Sequence, residues 1–438
     1  MIKFNLYDFF SVRRLAYWRW LLWQSQYYPS ERQKALQWKL LSGLLDHCFE
    51  NVPYYRDRWK ALGLRRGDFK SLGDLSKLPV ISKIDLLNHS DAFKSYRFEK
   101  YRPRSLQTTG TTGSPMKVYW DINSNVLELL CQWRYYSWFG YRIGMPFLDI
   151  RNFHQHLKGK WAWNWKCRGL ETSIFFWNDS NAAECAGMLK KYKVLLWRGN
   201  PWAIYQLCRC FKQAGIRDAK PKYITTVGEM LLNYQRDFIE NWTGCTIGDN
   251  YGLTEHTALM SQCPEGNYHI ASEYGIVEIL KEDGTPAEPG EEGRIISTGL
   301  HNRAFPLLRY DTGDYAVPAG GQCACGRTLP IVKELKGRIE DKVLAVNGKW
   351  IASLHWSFKS AAGIRCSQIV QNTAGSIDVY IVAMEEYNQD IQDGIVSGLH
   401  AELGDKMEIR VHLVDAVPFR SSKKYKFVVS RIADTKEK

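Results

Sequence analysis

Leu106-Gln107-Thr108-Thr109-Gly110-Thr111-Thr112-Gly113-Ser114-Pro115-Met116-Lys117-Val118-Tyr119 is the stretch around which this 438-residue chain is organised. A short apolar lead-in reaches Thr108 and Thr109, and the chain turns extended again after Pro115. Gly110 and Gly113 allow a tight turn and let a ligand approach the backbone without a Cβ in the way. Threonine hydroxyls and exposed N–H groups then face one small volume, which is how a loop cradles phosphate oxygens. The lysine and the spacing of the G-x-x-x-x-G-K phosphate loop are absent. Taken alone, the stretch reads equally well as a polar turn between two strands.

Outward from this loop, Ser124–Phe139 has helical spacing and is expected to pack beside it. Upstream, Gly63, Gly67, Gly73 and Pro79 are turn signals, and Ser82 with Asp85 marks a helix start. Downstream, residues 147–200 alternate strand-like runs such as Ser173–Trp177 with helical runs such as Ala182–Tyr192. Trp161, Trp163 and Trp165 recur at period two, as cover for a sheet or as the wall of a substrate pocket. A helix is expected from Pro201 to Ala214, a strand over Tyr223–Val227 and a helix over Met230–Trp242. This alternation argues for a mainly parallel sheet. Between 273 and 318, short strands (Gly275–Leu280, Gly293–Ser297) and Asp-Gly and Pro-Gly turns indicate an antiparallel subdomain. Beyond Gly337-Arg338 a tail of about a hundred residues is long enough for a small α+β domain.

The chain is too long for one core, so two or three domains are expected. Its 45% hydrophobic and 24% charged residues fit a soluble globular protein. No apolar run is long enough to cross a bilayer, and Arg13, Arg14 and Arg19 interrupt what would be a signal peptide's core. A cytoplasmic location is the expectation. The net charge of +13 suits a nucleotide, coenzyme A, an acidic polymer or an anionic membrane face. Basic residues are spread along the chain without a nucleic-acid module, which argues against nucleic acid. Eleven cysteines, an odd number, read as free thiols or metal ligands rather than a disulfide framework.

Residues 1–60 are aromatic, basic and largely helical, with a break at Asn51-Val52-Pro53. Such a segment either packs in the core or against a partner, the preferred reading, or lies in a membrane interface with its arginines on headgroups, as a peripheral contact.

Four segments follow the glycine loop in fixed order: Tyr251-Gly252-Leu253-Thr254-Glu255, Arg309-Tyr310-Asp311-Thr312-Gly313-Asp314, Gly337-Arg338-Ile339-Glu340-Asp341 and Ser422-Lys423-Lys424-Tyr425-Lys426-Phe427. With the loop they resemble the acyl-adenylate-forming superfamily of acyl-CoA synthetases and adenylation domains. The wording is nearest the phenylacetate–CoA ligase-like branch, which includes capsular-polysaccharide-associated members. Similarity runs from about residue 30 to about residue 430. The resemblance implies an α/β fold with a large N-terminal domain (1–338) of mainly parallel sheets covered by helices, carrying an antiparallel β subdomain. It also implies a small mobile α+β C-terminal domain (339–438).

The activity so implied is ATP-dependent, AMP-forming activation of a small-molecule carboxylic acid. The acyl group then passes to coenzyme A, or to an amine or hydroxyl of a sugar in polysaccharide biosynthesis. Two anions must meet in the first step, so charge neutralisation and positioning should carry most of the catalysis. The resemblance assigns Thr108, Thr109, Gly110, Thr111, Thr112 and Gly113 to the β- and γ-phosphates, with Asn250, Tyr251 and Gly252 also lining the nucleotide site. Thr254 falls near the α-phosphate and Glu255 on Mg²⁺, a hard cation suited to oxygen ligands. Asp314 would accept from the ribose hydroxyls, and Arg338 would support ribose or phosphates. Lys424 would bridge carboxylate and α-phosphate, and Glu340 would be the hinge of the small domain. Two positions depart from the pattern. Ser114 stands where some relatives have lysine, and Lys423 replaces a common glycine. In competition with these roles, Asp314 also reads as closing a turn, Arg338 as a surface pair and Glu255 as a helix cap.

Cys263 and His269, spaced C-x₅-H, trail the first of these motifs, and Cys323 and Cys325, spaced C-x-C, trail the second. If both motifs converge on the nucleotide, three thiolates and an imidazole form a closed tetrahedral set suited to structural Zn²⁺. Some members of the resembling branch have a zinc knuckle here. Unrelated cysteines in a reducing cytosol are the alternative. Cys48, Cys131, Cys167, Cys185, Cys208, Cys210, Cys245 and Cys366 lack metal spacing and are expected to pack. A rival of another class is a non-catalytic, zinc-stabilised binding protein on a membrane-bound polysaccharide assembly. A homo-oligomer is compatible with all of these readings.

Overall fold

In the computed structural model the described residues are 12–107, 117–151, 157, 159–338, 343–348, 350–351, 354–358, 364–385, 387–418 and 427–432. The chain begins with helices α1 (Val12–Ser25), α2 (Ser30–Asn51) and α3 (Pro53–Ala61). Pro53 causes the break after α2: it has no N–H to continue that helix, and its fixed φ suits the first position of the next. Helix α4 (Lys83–His89) starts at a capping box, with Ser82 and Asp85 satisfying each other's backbone N–H groups. A short antiparallel hairpin follows, β1 (Arg104–Gln107) and β2 (Lys117–Trp120), and Gln107 opposite Lys117 is its last pair before the glycine loop. Helix α5 (Ile122–Ser137) is capped by Asp121, which accepts from Ser124 N at 2.8 Å and from Arg303 N at 2.8 Å.

Parallel strands come next: β3 (Phe147–Arg151), β5 (Gly169–Ser173), β6 (Leu196–Gly199) and β7 (Tyr223–Val227), with β4 (Trp161–Asn164) antiparallel on β5. Helices α6 (Ala182–Lys191), α7 (Pro201–Gln213) and α8 (Asn233–Thr243) lie between or after them. Leu148, Ile150, Leu170, Trp197 and Ile224 point to the apolar core. Asp149 alternates to the other face, where Arg151 and Arg198 donate to it at 2.8 and 2.9 Å. The strand lies before the expected Ser173–Trp177, at Gly169–Ser173, because Ile174–Phe176 form a 3₁₀ turn. The tryptophan ladder also breaks. Trp163 stacks on Tyr192 at 4.2 Å, but Trp165 lies beyond the strand and is 73% exposed.

Seven further strands are β8 (Ile247–Gly252), β9 (Leu259–Gln262), β10 (Tyr268–Ile270), β11 (Gly275–Leu280), β12 (Gly293–Gly299), β13 (Tyr310–Pro318) and β14 (Ile331–Arg338), ordered β11-β12-β13-β14-β10-β9-β8. The β11–β12 and β12–β13 pairs are antiparallel, as the turn signals predict. The C-terminal segment holds β15 (Val343–Leu344), β16 (Trp350–Ile351), β17 (Ile364–Thr373), β18 (Ser376–Ala383), helix α9 (Gln389–Leu403), β19 (Glu408–Leu413) and β20 (Val428–Ser430). Its four-stranded sheet, ordered β19-β18-β17-β20, mixes antiparallel and parallel pairs.

Compactness divides the chain differently from a boundary at 338/339. One unit joins Met1–Ile143 to Gly248–Leu335, and the other joins Gly144–Ile247 to Lys336–Lys438. The second unit has a shared core, in which Leu354, Phe358, Ile369 and Val379 belong to the same buried cluster as Leu148, Trp197 and Leu207. Tyr205 Oη also donates to the Ile364 carbonyl at 3.0 Å. Apolar burial outweighs chain order in setting such units.

Candidate functional site

Strand β8 delivers Asn250, Tyr251 and Gly252, and the chain then turns over residues 254–257 without starting a helix. The helix-cap alternative for Glu255 therefore falls. His256 adopts φ +57° in this turn, and its ring stacks on Trp120 of β2 with centroids 4.0 Å apart. Beneath the turn lie Gly275 and Gly299, which are paired across β11 and β12. A Cβ on Gly275 would stand 2.1 Å from the Thr257 carbonyl oxygen, and one on Gly299 2.8 Å from that of His256. Only this pair of bare backbones lets the turn settle so closely on the sheet.

Three sequence motifs meet here within one unit. Trp120 Nε1, at the stem of the glycine hairpin, donates to the Thr254 carbonyl at 2.7 Å. Tyr251 Oη donates to Asp314 Oδ2 at 2.6 Å, and Tyr310 Oη donates to Glu255 Oε1 at 3.3 Å. Both carboxylates are largely buried, each 7% exposed. Asp314 follows an irregularity within β13 in which Gly313 takes φ +74° and its N–H donates to Asp311 Oδ1. The Asp314 N–H donates to Thr312 Oγ1 at 3.0 Å. Asn250 Oδ1 accepts from Ser261 Oγ at 2.6 Å. Carboxylate oxygens suit hydrogen-bond donors and hard cations, which is the chemistry this cluster offers a ligand.

Arg309 is part of the same motif but points elsewhere. Its guanidinium forks onto both oxygens of Glu278 at 3.0 Å and donates to the Ser76 and Leu78 carbonyls. That is a structural clamp. Thr108, Thr109, Gly110, Thr111, Thr112, Gly113, Glu340 and Lys424 lie outside the described residues. Arg338 ends β14. Trp120, Gly275 and Gly299 are not legible in the sequence as site residues, since nothing local distinguishes them. Tyr310 sits inside one of the ordered motifs, where its phenol is the available signal.

A second cluster lies where β9, β10 and the segment after β13 approach. Cys263, His269, Cys323 and Cys325 place their four ligand atoms within 4.8 Å of one another. The Cys263 and Cys323 sulfurs are 3.6 Å apart, and Cys325 Sγ is 3.2 Å from His269 Nε2. In a tetrahedral site with Zn–S near 2.3 Å, sulfurs stand about 3.8 Å apart, so this donor set fits the ion. Burial pushes the Cys263 thiol up to about 12 and His269 down to about 4. A neutral imidazole is the form that ligates metal, and a bound cation would reverse the cost of a buried thiolate. Asn267 Nδ2 donates to Cys323 Sγ at 3.3 Å, and His269 Nδ1 lies 3.4 Å from the Leu329 carbonyl, which orients the ring.

With this fold and geometry in view, the molecule can be placed. Its architecture is that of acyl-adenylate-forming ligases. It aligns with 2-hydroxyisobutyryl-CoA ligase in the postadenylation state with R3-HIB-AMP at TM-score 0.73 and 16% identity, over 92% of this chain and 90% of the other. Anthranilate CoA ligase AuaEII with anthranoyl-AMP aligns at TM-score 0.52 and 15% identity, over 74% and 65%. Residues 343–431 match the CapK C-terminal domain family. The chain is a homologue of proteins named phenylacetate-coenzyme A ligase and CapK. It is 26% identical to the former from Thermus thermophilus over 72% of each chain, and 22% identical to Protein CapK of Staphylococcus aureus over 87% of this chain and 86% of that protein. The phenylacetate-coenzyme A ligase of Escherichia coli is 25% identical, over 71% and 72%.

Proposed function

We propose that the protein is an AMP-forming acid–CoA ligase, activating a carboxylic acid with ATP and passing the acyl group to coenzyme A. One observation carries this reading: the Tyr251–Asp314, Tyr310–Glu255 and Trp120–Thr254 contacts draw three separate motifs into one acceptor-rich cluster. The names of its homologues, acid–CoA ligases among them, support the same class.

In this reading Asp314, held by the Tyr251 phenol, accepts from the ribose hydroxyls. Glu255 and the Thr254 turn face the phosphates, and the loop from Thr108 to Gly113 cradles them. Mg²⁺ bound at Glu255 supplies charge neutralisation for the phosphate oxygens. Lys424 brings a compact positive charge to the attacking carboxylate and α-phosphate, Arg338 supports the nucleotide, and Glu340 serves as hinge for a moving C-terminal domain. The Cys263, His269, Cys323 and Cys325 set holds a structural Zn²⁺, because four protein donors leave no open position for catalysis. Transfer to a sugar amine or hydroxyl is the second outcome for the acceptor.

The test is a screen of carboxylic acids for acid-dependent release of AMP and pyrophosphate, with and without coenzyme A. Acid-dependent AMP release that rises with coenzyme A supports the ligase. Release without any effect of coenzyme A points to another acceptor, and no release with any acid removes the catalytic reading.

A further inference from the structure

Helix α1 has two unlike faces. Leu21, Leu22 and Ser25 are buried, and Trp18 is partly buried. Leu22 packs in a cluster with Leu127, Leu130 and Cys131 of α5, and the Trp18 ring meets His301 edge-on at 4.9 Å. Ser25 Oγ donates to Glu273, and Arg134 Nη1 bonds both the Leu22 carbonyl (3.1 Å) and Glu273 (2.8 Å). This anchoring fixes the helix from Trp18 to Ser25. The opposite face carries Tyr17, Trp20 and Trp23, continued by Tyr27 past the helix end, at 51, 56, 55 and 51% exposure. At 100° per residue Tyr17, Trp20, Trp23 and exposed Arg19 fall on one side of the helix, away from Trp18, Leu21, Leu22 and Ser25. The expected core packing of residues 1–60 holds for Leu21, Leu22, Tyr28, Tyr54, Tyr55 and Trp59, while Tyr17, Trp20, Trp23 and Tyr27 stay outside it.

We propose that this face is a docking surface for an anionic lipid bilayer, with α1 lying in the plane of the headgroups. This goes beyond the ligase reading and does not depend on it. The chemistry of the face selects the occupant. Its exposed large apolar side chains, among the described residues, are Trp and Tyr, whose rings are apolar and whose N–H or O–H suits the wet carbonyl region of a bilayer. The helix sequence has three arginines (Arg13, Arg14 and Arg19) and no acidic residue, so its charge complements anionic lipid. Among the described residues no carboxylate pairs with Arg19. No described helix is long and apolar enough to cross a membrane, and a helix lying in the headgroup plane needs only one apolar face.

The experiment is flotation of the full-length protein with vesicles of phosphatidylcholine alone and of an equal mixture of phosphatidylcholine and phosphatidylglycerol, at low and high salt. The parent should float with the mixed vesicles and less so as salt rises. Trp20→Ala with Trp23→Ala should weaken that binding about tenfold or more, and Arg19→Glu about fivefold or more, the latter only on anionic vesicles. Both variants should melt with the parent, since they alter exposed side chains. Failure of the parent to float would overturn the proposal. So would equal flotation of the double-tryptophan variant, which would assign binding to basic surface elsewhere. A parent dimer in light scattering that the double variant abolishes would assign the face to a second copy instead.

Discussion

The two clusters in the first unit are built from neighbouring strands yet close in opposite ways. Around Cys263, His269, Cys323 and Cys325 the donor atoms face one another within 4.8 Å. Around Glu255 and Asp314 the acceptors are two carboxylates, each held by a phenol from another motif, an oxygen set suited to hydrogen-bond donors and a hard cation. The first arrangement is complete when one ion is added, and the second needs a ligand with donors and charge. Losing the first should therefore cost stability, and losing the second should cost chemistry.

The largest effect expected is on the closed cluster. Protein purified without chelator should hold about one zinc ion per chain, and Cys323→Ser with Cys325→Ser should remove it. Structural zinc contributes on the order of 10 kcal/mol of apparent binding energy to a small site, comparable to a whole domain's stability. Thermal melting should thus collapse in the double variant. Elemental analysis finding no zinc in the parent breaks the comparison at once.

Lys424→Ala tests the proposed adenylation step. Loss of one preorganised charge contact typically costs about 2.7–4 kcal/mol, a hundred- to a thousand-fold in rate. AMP formation should fall by that factor with melting unchanged, while transfer from a chemically made acyl-adenylate persists. If Lys423→Ala abolishes adenylation and Lys424→Ala does not, the assignment moves by one residue.

Gly275→Ala probes what positions the turn. Its new Cβ cannot occupy a place 2.1 Å from the Thr257 carbonyl, so β11 or the turn must shift. Overpacking of this kind costs about 1–3 kcal/mol of stability. Adenylation should drop beyond what the melting shift explains, and a variant that loses stability alone would separate the glycine pair from the site.

The smallest effects concern ATP affinity. Asp314→Ala should weaken ATP binding by about 1.5–3 kcal/mol in calorimetry, the usual range for a hydrogen bond to a charged group. Tyr251→Phe should cost less, about 0.5–1.5 kcal/mol, because it only frees the carboxylate to turn. Equal losses would mean that the phenol itself touches the nucleotide. Unchanged affinity in Asp314→Ala would remove the ribose assignment.

Local pattern determined a good deal about this protein by itself. The antiparallel strands at Gly275 and Gly293, the strand Tyr223–Val227, the Ser82 capping box and the break at Pro53 all follow from short-range sterics and hydrogen bonding. The spacing of Cys263, His269, Cys323 and Cys325 also identified four residues that the fold brings together. Tertiary structure alone decided the rest. No periodicity distinguishes Gly275 and Gly299 from other glycines, because the carbonyls they make room for arrive from another strand connection. The stacking of His256 on Trp120 joins residues more than a hundred positions apart. The union of 144–247 with 336–438 reflects apolar residues of both segments that share one buried cluster. On α1, composition marks every apolar residue as a candidate for burial, but there is room against α5 for one face only. Which face turns outward is a matter of where Leu22, Ser25 and Glu273 meet, and that is set by distances in space rather than in sequence.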